Sequence, residues 1–185
     1  MTLPAFATPR LTLRAITEHD ADGLHEAYGD AVAMRHWDHP PSRDVSQTAE
    51  RICVSAETDP RWHGMWAIRT HAGRFAGAIN YHAHNEQQRR LAVGWIVVPS
   101  FWRQGIMTDA APPVISHCFT QLDVHRIEAR IEPDNLSSRR LAAKLGFTED
   151  GMLRDWLCVA GEFRSIVMYS LLRPEWMAQQ RSRPC

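Results

Sequence analysis

Arg103, Gln104 and Gly105 end a short loop, Ser100 to Gly105, set between an apolar run that closes at Val98-Pro99 and a helical segment that begins near Ile106. That order of elements suits anion binding. A strand that feeds a short loop and then a helix leaves several backbone N–H groups aimed at one point, and the positive end of the helix dipole adds to them. Gly105 lets the backbone approach a ligand closely, and Arg103 supplies a planar cation suited to phosphate. An ordinary strand-to-helix turn has the same outline. Further on, Asn135 and Ser138 stand three apart at the start of a helical pattern. Asn favours turns and helix caps, and a serine there also reads as a cap or as helix surface. His82 and His84 end a strand pattern and share a face if that strand continues. Either imidazole is a candidate base, although edge histidines are common, and the same holds for His36, His39 and His63. Trp37, Trp62 and Trp66 suit an acceptor pocket, core packing or a dimer contact equally well.

These residues need a scaffold, and hydrophobic periodicity outlines one. The central run, Val93 to Val98, is a buried strand stopped by Pro99. Arg126 to Ile131 is a second, with Ile127, Ala129 and Ile131 alternating with Glu128 and Arg130. After the turn at Pro133-Asp134-Asn135 a helix runs to Leu145 and stops at Gly146. Strand–helix–strand–helix of this kind implies a parallel crossover. Upstream, Leu11, Leu13 and Ala15 mark a first strand. Thr17 with Asp20 forms a capping-box signal for a helix over Glu18 to Tyr28. A helical turn is expected near Ala31 to Trp37, and a second helix over Asp44 to Glu57. Trp66 to Thr70 and Phe75 to His82 read as a hairpin about His71-Ala72-Gly73-Arg74. Met152 to Val159 and Phe163 to Leu172 close the sheet, and a short helix that frays is expected after Arg173. Pro112 and Pro113 fall two turns into the helix after the loop, where proline removes hydrogen bonds and kinks the axis. The order β-α-α-β-β-β-α-β-α-β-β is an α/β fold, a mixed sheet with helices on its faces.

Trp102-Arg103-Gln104-Gly105-Ile106-Met107 resembles the Q/R-x-x-G-x-G/A pyrophosphate loop of the GNAT superfamily of N-acetyltransferases. Asn135, Ser138, Leu141 and Gly146-Phe147 resemble its N-x-x-S/A-x-x-L motif with the G-F that follows. Thr8-Pro9-Arg10-Leu11-Thr12-Leu13-Arg14, Phe101-Trp102, His125-Arg126-Ile127-Glu128-Ala129 and Met168-Tyr169-Ser170-Leu171-Leu172 are similar to the branch that includes RimJ and RimL, which acetylate ribosomal-protein N-termini. The resemblance spans roughly Pro9 to Trp176. It implies the GNAT fold: a twisted, mixed and largely antiparallel sheet of about seven strands flanked by about four helices. It implies acetyl-CoA as cosubstrate, transfer to an amine, no metal, and a fold compatible with a homodimer. It assigns the CoA phosphates to Arg103, Gln104, Gly105, Ile106, Met107 and Thr108, and the thioester carbonyl to main-chain N–H groups of Ile96, Val97 and Val98. The pantetheine arm falls to Asn135 and the CoA sulfur to Ser138. Met107 stands where the generic loop has glycine or alanine, so its side chain is expected to point away from the pyrophosphate.

Two positions depart from the pattern. The tyrosine that often follows the motif leucine is Ala142, and the glutamate that often precedes the central G-Y/W pair is Ala92. Ser138, His82 and His84 are then the catalytic candidates. An α-amine has a pKa of about 7.7–8.0, so on the order of a tenth is neutral at pH 7, against ~0.04% of a lysine amine. An enzyme without a strong base therefore favours an α-amine, that of a protein N-terminus or peptide. A small-molecule amine (antibiotic, polyamine or amino acid analogue) is the alternative, and an acyl-CoA sensor without catalysis the reading from another class.

At 185 residues, with 44% hydrophobic and 23% charged, a single folded domain over 1–185 is expected. Zero formal net charge speaks against general attraction to nucleic acid or anionic membrane. Cys53, Cys118, Cys158 and Cys185 form no C-x-x-C pair, so neither zinc nor a redox motif is indicated, and free thiols are the simpler reading. Pro4, Pro9 and Arg10 interrupt any signal-peptide core, and no run nears the ~20 apolar residues of a membrane span. A cytoplasmic protein is expected.

Overall fold

Leu11 and Leu13 bury one face of the strand Leu11–Ala15 (β2) against the core, as their alternation requires. In the computed structural model, which describes residues 2–182, β2 takes its place in an eight-stranded sheet with helices packed on it. A two-residue strand, Phe6–Ala7 (β1), precedes it and makes the count eight rather than seven. The Thr17 N–H donates to Asp20 at 3.0 Å, so the capping box is present, opening a 3₁₀ turn at Glu18–Asp20 that runs into helix Ala21–Tyr28 (α1). Asp20 is fully buried. Burial raises its pKa, but the Arg14 guanidinium, the Thr17 N–H and Arg69 outweigh that and hold it below the ordinary value. The stretch near Ala31 to Trp37 is a series of turns, and Asp44 caps helix Val45–Glu57 (α2) by accepting from the Gln47 N–H.

The hairpin Gly64–Thr70 (β3) and Phe75–Asn85 (β4) leads into the central strand Arg90–Val97 (β5). Helix Ile106–Gln121 (α3) crosses over to strand Arg126–Ile131 (β6). Helix Leu136–Lys144 (α4), strands Thr148–Val159 (β7) and Glu162–Leu172 (β8), and helix Arg173–Ser182 (α5) complete the fold. The sheet order is β1-β2-β3-β4-β5-β6-β8-β7, and β5–β6 is its parallel pair, as the crossover demands. Fraying of the C-terminal tail would concern residues 183–185, which with Cys185 lie outside the described residues. Cys53, Cys118 and Cys158 are free thiols.

α3 carries Pro112 and Pro113 within one continuous helix. Each proline lacks the N–H that would reach four residues back, so the carbonyls of Thr108 and Asp109 lose their usual donor four residues on. Nothing in the structure explains two prolines in succession. No helix among the described residues is long and apolar enough to cross a membrane.

Candidate active site

β5 and β6 pair only from Arg90 to Ala92 against Arg126 to Glu128. Beyond Ala92 the two strands part, and a parallel ladder that stops short leaves backbone groups facing an opening. Residues of an antiparallel strand turn N–H and C=O to one side, and their neighbours turn to the other. The Val98 N–H donates to the Ala76 carbonyl at 3.0 Å, and Ile96, paired with Ala78, faces β4 with it. Val97 lies between them and faces the opening. Its carbonyl accepts from the Trp102 indole N–H at 2.7 Å, which leaves its N–H directed into the gap. Of the three main-chain groups expected there, Val97 is thus the one so turned.

After β5, Pro99–Phe101 form a 3₁₀ turn and Gly105 caps α3. Arg103 (φ 60) and Gly105 (φ 73) are both left-handed. The Asp109 N–H is the first of the helix to bond back, to the Gly105 carbonyl at 3.2 Å, so the N–H groups of Ile106, Met107 and Thr108 precede the ladder. A side-chain carbon added at Gly105 would meet a single neighbour within 4 Å among the described residues, Arg10 Nη2 at 3.3 Å. Arg10 braces the loop: Nη1 donates to the Gln104 carbonyl at 3.0 Å and Nε to Asp109 at 2.6 Å. The Gln104 side-chain amide donates to the Ser100 carbonyl at 2.9 Å. Met107 is buried in the core, and Arg103 is exposed.

Across the opening, Asn135 caps α4. Its Oδ1 accepts from the Ser138 N–H at 3.2 Å and from the Ser137 hydroxyl at 3.0 Å. The Trp95 indole N–H reaches over from β5 and donates to Ser138 Oγ at 3.3 Å. That contact uses the oxygen as an acceptor, so the half-buried hydroxyl keeps its own hydrogen for another partner. Sequence reasoning gave Arg10 and Trp95 no part in the site. Each acts on a residue tens of positions away, and no local pattern marks that.

His82 is the cross-strand partner of Ala92 and lines a cleft of about 720 Å³ bounded by α1, α2, β3–β6, α4 and β7. Burial, with the Arg130 guanidinium and His63 nearby, pushes its imidazole down to about 4. His84 does not share its face. Ala83 is left-handed (φ 52), the register shifts there, and His84 turns Nδ1 to the Arg61 carbonyl with its ring 6.0 Å from Trp62. His63 Nε2 lies 2.6 Å from Ser55 Oγ, and burial pushes its pKa down as well. Trp37 and His39 line the cleft with Tyr28, whereas Trp66 is core and donates to the Pro4 carbonyl. His36 and Glu132 meet at 2.8 Å, and Asp134 completes a group whose ligand atoms lie within 4.8 Å of one another. Those carboxylates already pair with Arg164 and Arg35, and Asp134 is exposed.

The neutral histidines make an acid sensitivity. His63, His82 and His117 all have folded pKa values below the ordinary 6.5 because they are buried. His117 lies among Trp66, Tyr81 and Phe6 with Nε2 unpartnered among the described residues. Groups depressed in this way contribute stability in full above about pH 6.5 and lose it as pH falls, for His82 down to about 4. Urea midpoints should therefore drop steadily from pH 7 to pH 4. Replacing His82 by glutamine should remove part of that slope, on the order of 2–3 kcal/mol between the extremes; an unchanged slope would mean His82 titrates normally.

Residues 10–148 match the family model described as the acetyltransferase (GNAT) domain. The uncharacterized N-acetyltransferase YoaA of Bacillus subtilis (strain 168) is 30% identical over 173 residues, 92% of this chain and 98% of its own length. Two solved structures show a similar fold. One is RimL, the ribosomal L7/L12 alpha-N-protein acetyltransferase in complex with coenzyme A (TM-score 0.81, 21% identity, 91% of this chain and 98% of that one). The other is spermidine N-acetyltransferase from Vibrio cholerae in complex with CoA and spermine (TM-score 0.80, 18% identity, 92% and 99%).

Proposed function

The chain belongs to the GNAT acetyltransferase family, and we propose that it moves an acetyl group from acetyl-CoA to an α-amine, the N-terminus of a protein or peptide, as a cytoplasmic enzyme of one domain. The observation that carries this is the parting of β5 and β6, with the Val97 N–H on one side and the Ser138 hydroxyl on the other. The N–H groups at the start of α3, with Arg103, Gln104 and Gly105, hold the pyrophosphate, and the side-chain amide hydrogens of Asn135 hold the pantetheine arm. The amine attacks the thioester carbon. A C–N bond forms, the carbonyl oxygen gains charge opposite the Val97 N–H, and the C–S bond then breaks with its electron pair going to sulfur, where Ser138 donates a hydrogen bond. His82 accepts a hydrogen bond from the amine and orients it, while the proton leaves to water in the cleft. With a pKa of about 4, His82 is uncharged at neutral pH but too weak a base to hold that proton. The contact of His84 with the Arg61 carbonyl argues against a part for it.

This scheme fixes the pH dependence. kcat/KM should rise with the ionisation of the acceptor itself, and acceptors of different amine pKa should give displaced profiles. An inflection near pH 6 common to every acceptor would point to an enzyme base instead. The reading itself is tested by thiol release from acetyl-CoA with mass spectrometry of the acceptors: peptides with free N-termini, the same peptides blocked there but carrying lysine, and small amines. Modification at free N-termini alone supports it. Modification of small amines alone moves the assignment to metabolites, a reading favoured by the likeness to a spermidine acetyltransferase.

A further inference from the structure

The cleft beside the strand opening has an apolar floor and a charged rim, a division that the transfer chemistry does not need. Leu24 from α1, Ile52 from α2 and Met65 from β3 are buried and form the floor. Tyr28, Trp37 and His39 stand together as one wall, with ring centres 5.4, 5.5 and 5.6 Å apart. Of the lining carboxylates, Asp38 and Glu50 are exposed, and Glu132 is engaged by His36 at 2.8 Å and Arg164 at 3.1 Å. Arg51 and Arg130 line the same cleft. Fixed charge therefore nearly cancels; Asp38, Glu50 and Arg130 are exposed, where water screens them, and Arg51 is half-buried with its Nε unpartnered among the described residues.

We propose that the acceptor's amine is borne by an uncharged apolar or aromatic group, and that this group enters the cleft against Tyr28, Trp37 and His39. The proposal rests on the transferase reading above and names the class of acceptor for that site. A cavity of about 720 Å³ has room for a thioester tip and one large side chain. An apolar group there gains from leaving water, and the aromatic wall adds ring contacts. A polyamine would have to lay further ammonium groups over Leu24, Ile52 and Met65, beside two guanidinium groups, and a buried charge without a partner is strongly disfavoured. A peptide beginning with lysine meets the same obstacle, and one beginning with aspartate gives up the hydration of its carboxylate over the same apolar floor.

The test uses peptides identical except for a first residue of Phe, Leu, Ser, Asp or Lys, together with spermidine. kcat/KM should be at least about 10-fold higher for the Phe and Leu peptides than for the rest. Trp37→Ala should raise KM for the Phe peptide about 10-fold and leave that for acetyl-CoA unchanged, and Trp37→Phe should restore most of it. Spermidine or a charged first residue serving as well as Phe would overturn the proposal, as would a Trp37→Ala variant that affects every acceptor alike. The same peptides are also titrated into protein saturated with CoA. If none is acetylated but the Phe and Leu peptides bind best, the transferase reading fails while the apolar site stands. Equal binding, or none, overturns the site.

Discussion

Gly105→Trp is expected to weaken acetyl-CoA binding by at least about 100-fold in a protein that still folds. Two features of the position give that magnitude. Its φ of 73° costs a non-glycine residue about 1–2 kcal/mol. Its surroundings are open, with Arg10 Nη2 the single described neighbour of an added carbon, so an indole can be accommodated only in the space in front of the loop. That space is where the N–H groups of Ile106, Met107 and Thr108 would meet the pyrophosphate. Hydrogen bonds to a charged group contribute about 1.5–3 kcal/mol each, so losing two accounts for about 100-fold or more. Calorimetric titration with CoA and a melting curve of the free protein check both parts. Gly105→Ala separates strain from blockage and should cost only a few-fold. Unchanged affinity in a folded Gly105→Trp protein would remove the loop from the site.

What made this loop readable in the sequence was local chemistry: Pro99 ends the strand, Gly105 permits the turn, and Ile106 starts a periodic apolar pattern. β6 was equally legible, to the residue, because alternation over Arg126–Ile131 is unbroken. β7 was not. It begins at Thr148, four residues before its expected start, because it is an edge strand exposed along nearly all its length and shows no buried face to alternate. β1 is two residues long, too short for any period. Parts of the site were hidden for a different reason. That Val97, rather than Ile96 or Val98, faces the opening depends on the register with β4, which is a property of two strands. The separation of His82 from His84 depends on a left-handed alanine, a residue that gives no warning of a break where glycine would have. Arg10 was visible within an N-terminal motif, but its work is done at Gln104 and Asp109.

Ser138→Ala should lower kcat by about 10- to 100-fold and leave KM for acetyl-CoA within about twofold. The hydroxyl meets the sulfur only as the C–S bond breaks, so its loss falls on the transition state rather than on ground-state binding. Removing a single donor at a developing anion typically costs about 100- to 1000-fold. A thiol near pKa 8.5 is already a tolerable leaving group, which sets the expectation below that range. Trp95 gives the means to tell this from a packing effect. Its indole N–H donates to Ser138 Oγ at 3.3 Å and so fixes which way the hydroxyl hydrogen can point. Trp95→Phe keeps most of the ring and deletes the donor; it should lower kcat a few-fold in the native background and have no effect once Ser138 is alanine. Non-additivity of that kind between contacting residues is the signature of one shared interaction. Ser138→Thr, which keeps the hydroxyl, should recover much of the rate. A Ser138→Ala enzyme with kcat within twofold of native would leave the thiolate to depart unaided. Fully additive losses for the two substitutions would mean that Trp95 supports the strand opening by packing alone and does not act through the serine.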